Sequence, residues 1–239
     1  MAKFKFELPW SKIVKVMESM TELKTIEWEP VFRFVIAMCK GRDSSHDYDH
    51  MRRVLEYTMI IMQQEKITDW KIWTYAPIGA MLHDVHDKKY DHDGSLTKAV
   101  REFLSSSGYI DDVDLLMKIM DYVSHTKEVT AIKSGHPINF EEELGVFGTT
   151  VRHVIHDADK LDALGAIGFD RCCQYQTHWY VAKYGKHPTR KELAEMVIEH
   201  ADTKLLLLKD QFIRTQTGKI MAEQLHNELV NLVDKNLRS

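Results

Sequence analysis

Histidine and aspartate stand side by side five times in this chain, at 46–47, 83–84, 86–87, 92–93 and 156–157. Imidazoles and carboxylates can hold a cation or move a proton, but a dipeptide repeated this often says nothing alone. Its surroundings must select among the copies. His83-Asp84 follows Ala80-Met81-Leu82 at the end of an apolar stretch. An unpaired carboxylate buried there is strongly unfavourable unless something compensates it. A cation is one compensation; a solvent-exposed helix end, where Asp84 stays wet, is the other reading. His50 heads an apolar stripe with Arg53 one turn on, and serves there either as a ligand or as a satisfied boundary histidine. His46, one turn earlier in a segment rich in capping residues, competes with it. Asp157-Ala158-Asp159-Lys160-Leu161-Asp162 places three carboxylates within six residues, directly before the small-residue run Ala163 to Gly168. Capping and helix-dipole pairing account for Asp157 or Asp162 singly, and less well for all three together.

These residues need elements to position them. Apolar residues recur mostly at helical spacing and do not alternate, so the chain is expected to be all-α. The spacing predicts helices over about 28–40, 47–64, 71–86, 95–106 and 111–124. Val31, Phe34, Val35 and Met38 line the first, which Gly41 stops. Val54, Tyr57, Thr58, Ile61 and Met62 line the second, with His50 at its head. Residues 126–145, which hold Gly135, Pro137 and Glu141-Glu142-Glu143, read as the longest irregular stretch, a flap near the site. Helical stretches follow over about 147–182, 190–213 and 217–236. If the helix bearing His83 continues, Asp87 at i+4 shares its face. His125 follows the stripe Val113, Leu116, Met117 and Met120, and reads either as a site residue or as a structural histidine. Tyr175, Trp179 and Tyr180 form an aromatic cluster that fits a core stripe or a stacking surface for a base.

Composition narrows the function. The 239 residues are 44% hydrophobic, enough to bury one large core, and the formal net charge is -4. That balance argues against a nucleic acid polymer as partner. The cysteines Cys39, Cys172 and Cys173 include no CxxC pair, which argues against disulfides or a thiolate zinc site. No apolar run approaches the ~20 residues of a membrane span, and the N-terminus lacks the apolar region of a secretory signal. A cytoplasmic protein is expected.

With these pieces in place, the sequence resembles the HD-domain metal-dependent phosphohydrolases over about 43–233. His46-Asp-Tyr-Asp-His50-Met-Arg-Arg53-Val is similar to the family's first motif, H-D-x-x-H-x-x-R-V. Leu82-His83-Asp84-Val-His-Asp87-Lys-Lys89-Tyr90 resembles the motif that names it. Asp157-Ala-Asp159-Lys160-Leu-Asp162-Ala-Leu-Gly165-Ala-Ile-Gly168 resembles the third, in the form found in a bacterial-type subgroup with nucleotide pyrophosphohydrolase activity. Asp170, where relatives usually carry an aliphatic residue, departs from that form.

The resemblance implies a single HD-type helical bundle over 1–239, with a motif-bearing core at about 43–182 and C-terminal helices at about 190–236. It implies metal ligands His50, His83, Asp84 and Asp159, with Asp157 as the competing fourth. Two imidazoles and two carboxylates suit one divalent ion such as manganese, nickel, iron, cobalt or zinc, with magnesium tolerated less well. Asp84, Asp87 and His125 are the expected catalytic residues, and Arg53, Lys89 and Lys160 the expected phosphate-binding ones. A second metal on His86, His125 or Asp87, and a homodimer, are both compatible with the sequence. The expected activity is hydrolysis of a nucleotide or another small phosphorylated metabolite, foremost pyrophosphate release from a nucleoside triphosphate. A nucleotidase and a non-catalytic metal- or nucleotide-binding module are the alternatives.

Overall fold

The structure is a computed structural model that describes residues 26–42 and 47–238; His46 and the N-terminal segment lie outside the described residues. Among the described residues the regular elements are helices, with no strand, as the apolar periodicity predicts. No helix among them is long and apolar enough to cross a membrane.

The helix α1 (Trp28–Met38) leads to α2 (Tyr48–Gln64), α3 (Trp70–Leu82), α4 (Ser95–Ser107) and α5 (Val113–Asp121). The segment read as an irregular flap is instead largely helical. It holds α6 (His125–Lys133) and the start of α7 (Phe140–Asp162). Its loop residues are Ser134 to Asn139, where Gly135 and Pro137 sit. Gly145 then interrupts α7 with φ 66° and ψ 172°, a conformation that glycine takes readily. The sequence pattern ran one helix from 147 to 182. The chain breaks it at Ala163-Leu164 and resumes as α8 (Gly165–Tyr184). Next come α9 (Arg190–Thr203), a 3-10 turn (Leu205–Leu207), α10 (Leu208–Gln211) and α11 (Gln216–Leu237).

The helices α3 and α7 form the middle of the bundle. Every residue of α3 from Ile72 to Leu82 is buried, because its apolar side chains run all round the helix. α7 packs against α2, α3, α5 and α11, and α11 lies against α8 as well. The three chemistry-bearing segments therefore converge at the centre: the first turn of α2, the end of α3 and the last turns of α7.

The break between α7 and α8 is held open by Gly168. A Cβ built there would lie 2.2 Å from the carbonyl carbon and oxygen of Ala163, which are backbone atoms that cannot swing aside. Gly168→Ala is therefore expected to cost about 3 kcal/mol, the upper range of overpacking substitutions. A thermal midpoint unchanged from wild type would disprove this account of the turn. Cys39 and Cys172 are buried free thiols, and burial pushes them up to about 11 and about 12 respectively. That agrees with the disulfide-free reading.

Candidate metal centre

Local structure sets each side chain. Asp47 caps α2, accepting from the backbone N–H of His50 at 2.9 Å, so His50 sits in the first turn. The helix bearing His83 ends at Leu82, earlier than the sequence pattern suggests. Arg42 explains the early end. Its guanidinium donates to the carbonyls of Asp84 at 2.8 Å and Val85 at 2.6 Å, and it lies 4.2 Å from the centre of the Tyr90 ring. Those carbonyls are satisfied from outside, and the chain turns at His83-Asp84 instead of continuing as helix. The expectation that Asp87 shares a helix face with His83 is thereby corrected. Asp87 reaches the same cleft by a different route, through the turn it caps by accepting from the N–H of Lys89 at 2.7 Å.

His50, His83 and Asp159 offer ligand atoms that all lie within 4.8 Å of one another. Asp84 stands beside this group. Its two oxygens stand 3.5 Å from His50 Nε2 and 3.5 Å from His83 Nε2, while Asp159 Oδ1 stands 3.5 Å and 3.9 Å from the same two nitrogens. The imidazoles are buried, and both carboxylates open towards the cleft.

The ring nitrogens show whether a cation fits. His83 Nδ1 lies 2.8 Å from the carbonyl of Ala80, which only accepts, so the proton sits on Nδ1. Nε2 then carries the lone pair when the ring is neutral. It is buried without a hydrogen-bond partner, facing two carboxylates. His50 is held in the same sense, its Nδ1 2.7 Å from Asp162. This is the outer-shell arrangement that presents Nε2 to a metal. Burial lowers the pKa of His83, yet Asp84 and Asp159 outweigh it and push the ring up to about 9. Burial likewise opposes ionisation of Asp159, but Lys160 and the two imidazoles hold its carboxyl well below the usual range. A position that draws a proton onto a buried imidazole against its desolvation favours positive charge, which a divalent cation would supply.

The three carboxylates at the end of α7 have separate work. Asp159 faces the cleft. Asp157 is fully buried and accepts from the N–H of Arg214 at 3.0 Å, and from the N–H and Oγ1 of Thr215 at 2.6 Å and 2.7 Å. It caps the approach to α11 and lies outside the cluster, to which Asp159 belongs. Asp162 accepts from His50 and, at 2.7 Å, from Arg53 Nε, and it also pairs with Arg171. These donors outweigh burial and lower its pKa.

The expected phosphate-binding residues divide. Lys89 lies in the cleft wall, its Nζ 5.1 Å from the ring centres of both Tyr90 and Tyr175. Lys160 also lines the cleft, but it is buried and donates to Asp159 at 2.6 Å and to the Val123 carbonyl at 3.2 Å. Arg53 is not in the cleft wall. Its guanidinium is taken by Asp162, so it orients the carboxylate behind His50.

His125 opens α6 and lines the cleft, its ring 4.5 Å from that of Phe212. Burial and the nearby Lys160 and Lys204 lower its pKa to about 3, which favours the neutral ring. The base of α6 is fixed by Glu128, which is buried among Arg152 at 2.5 Å, His156 at 3.1 Å and Arg214. The His156-Asp157 copy of the dipeptide is thus structural. Of the aromatic cluster, Tyr175 lines the cleft, Trp179 is 40% exposed, and Tyr180 is buried with its hydroxyl donating to Glu192 at 2.6 Å.

The cleft has a volume of about 1630 Å³ and is longer than the metal cluster needs. Among the wall cations that sequence reasoning did not assign are Arg171 and Lys204. Arg171 stands three residues beyond Gly168 at the end of the third motif, and its pairing with Asp162 is visible only in the structure. Lys204 ends an amphipathic helix far from any motif, and no local pattern marks it.

No family model matches the chain. It is 26% identical over 216 residues to YpgQ of Bacillus subtilis, covering 90% of this chain and 93% of that protein. The crystal structure of YpgQ in complex with ADP superposes with a TM-score of 0.57 at 24% identity, covering 87% of this chain and 91% of that one. An HD-superfamily hydrolase from Bacillus thuringiensis is 25% identical with a TM-score of 0.51, covering 92% and 95% of the two chains. A predicted HD-superfamily hydrolase from an uncultured Thermotogales bacterium has a TM-score of 0.52 at 22% identity, covering 93% and 97%.

Proposed function

We propose that this chain, an HD-superfamily hydrolase by its fold, motif residues and relatives, uses one divalent cation to hydrolyse a nucleotide. The leading reaction is pyrophosphate release from a nucleoside or deoxynucleoside triphosphate. The observation that carries the cation is the buried, unpartnered Nε2 of His83 facing Asp84 and Asp159. The relative crystallised with ADP supports a nucleotide as ligand.

In this reading His50, His83, Asp84 and Asp159 hold the cation. When bound, it would lower the pKa of water and draw charge from a phosphoryl oxygen. The protein's own groups do the rest. Asp162 keeps the His50 ring in the ligating tautomer, and Lys160 offsets the charge of Asp159. The water oxygen bonds to the α-phosphorus, the bond from that phosphorus to the oxygen bridging towards the β-phosphate breaks, and pyrophosphate leaves. Asp87 takes the proton of the water, while neutral His125 and Lys89 hydrogen-bond phosphate oxygens. Tyr175, beside Lys89 in the cleft wall, offers the base a ring face.

Product analysis tests this. Metal-stripped protein is reloaded with Mn²⁺, Ni²⁺, Zn²⁺ or Mg²⁺ and given ribo- and deoxynucleoside mono- and triphosphates. Monophosphate plus pyrophosphate, absent with Asp84→Ala, is the expected outcome. Inorganic phosphate as the sole released anion would make the protein a nucleotidase. Silence across the panel with metal bound would count against a nucleotide substrate.

A further inference from the structure

Beside the metal-ligand cluster the cleft wall carries a partly buried cation, Lys204, for which no counter-ion stands among the described residues. Lys204 follows the last residue of α9, where the backbone leaves helical geometry (φ -137°, ψ -64°) and enters the 3-10 turn. It lines the cleft that contains Asp84 and Asp159. The neighbouring cations are committed: Lys160 to Asp159 and the Val123 carbonyl, Arg171 to Asp162. The Lys204 ammonium has no hydrogen bond or ion pair among the described residues.

Its surroundings make that state unfavourable. Burial lowers its pKa, Lys160 and Arg171 lower it further, and Asp159 and Cys172 oppose them. His125 and His200 also feel its charge, and both are driven towards the neutral form chiefly by burial, with Lys204 adding to the effect. An ammonium on a partly buried side chain, with cations as near neighbours and the nearby Asp159 already paired with Lys160, lacks compensation in the free protein. An anion entering the cleft supplies it. Lysine suits a phosphate oxygen here as a compact point charge on a flexible stem.

We infer that Lys204 is a substrate-binding residue that holds a phosphate group beside the metal ligands, on the side of the cleft lined by His125 and Lys160. The inference rests on the phosphohydrolase reading. It assigns to a residue outside the three motifs the task that the motif pattern gave to Arg53.

The test is calorimetric titration of Mn²⁺-loaded wild type, Lys204→Met and Lys204→Arg with inorganic pyrophosphate. Methionine keeps the packing of the stem and removes the charge. A hydrogen bond to a charged group is worth about 1.5–3 kcal/mol, so Lys204→Met should weaken pyrophosphate binding by at least about tenfold. Lys204→Arg should retain most of the affinity. Mn²⁺ should bind Lys204→Met as tightly as wild type or more tightly, because a repelling charge is gone. In turnover the loss should fall mainly on KM. Wild-type pyrophosphate affinity in Lys204→Met would overturn the inference and leave the hydrolase standing. Equal weakening of Mn²⁺ and pyrophosphate, with a lowered thermal midpoint, would make Lys204 a packing residue and overturn it too. Failure of the wild type to bind pyrophosphate would overturn the phosphate reading of the cleft, and this inference with it.

Discussion

His83→Ala is expected to abolish turnover and to leave the helical circular dichroism close to that of the wild type. The ring lies past the last residue of α3 and makes one local bond, to the Ala80 carbonyl, so its removal leaves the bundle intact. What disappears is the lone pair facing Asp84 and Asp159. Losing an outer-shell partner typically costs about 10–100-fold in metal affinity or activity, and loss of a ligand should exceed that. Asp84→Ala should behave in the same way, since its two oxygens face both imidazoles. Metal content by atomic emission and initial rates at saturating Mn²⁺ check both variants. Full activity in the pair would remove the site assignment altogether.

Asp162→Ala is expected to damage stability and metal binding together. The carboxylate is 1% exposed and answers His50 Nδ1, Arg53 and Arg171. Removing one member of a buried ionic set leaves charges uncompensated, at a cost of about 3–5 kcal/mol. The His50 ring also loses the acceptor that fixes its tautomer, which should weaken the metal by a further 10–100-fold or so. Asp162→Asn separates the two effects. Its amide oxygen can still accept from the His50 ring, but the charge that answers two guanidiniums is gone. It should therefore lose more stability than metal affinity. Thermal unfolding of the metal-free protein and Mn²⁺ titration read the two quantities separately. A metal-free midpoint equal to wild type in both variants would mean that the guanidiniums find other partners.

The helical periodicity of the apolar residues was enough to make the class and most elements legible, because burial in a bundle repeats with the helix turn. Where the reading failed, a distant contact decided. The helix bearing His83 stops at Leu82 because Arg42, from another part of the chain, takes the carbonyls of Asp84 and Val85. The stretch 126–145 looked irregular from its Gly, Pro and acidic run, yet buried Glu128 anchors α6 through Arg152 and Arg214. The motif residues showed which imidazoles and carboxylates come together. They did not show how the surrounding charges divide. Asp157, Asp159 and Asp162 look alike in sequence, but the turn of the helix sends them to three different neighbourhoods. Arg53 and Lys204 exchange expected importance for the same reason: whether a cation is free for substrate depends on which carboxylate lies beside it.

The tie between Asp157 and the backbone at Arg214-Thr215 also bears on the order in which the protein can be completed during synthesis. Asp159 sits two residues beyond a carboxylate that has its backbone partners only when the chain has reached position 215. On a ribosome, all four proposed ligands emerge well before that point. Until then Asp157 must stay hydrated, and the last turns of α7 lack the bonds that hold their rotational setting. A nascent chain bearing every metal ligand therefore does not yet present them in finished geometry. Cation capture with native affinity at the proposed site would then be a late event, coupled to the docking of α11.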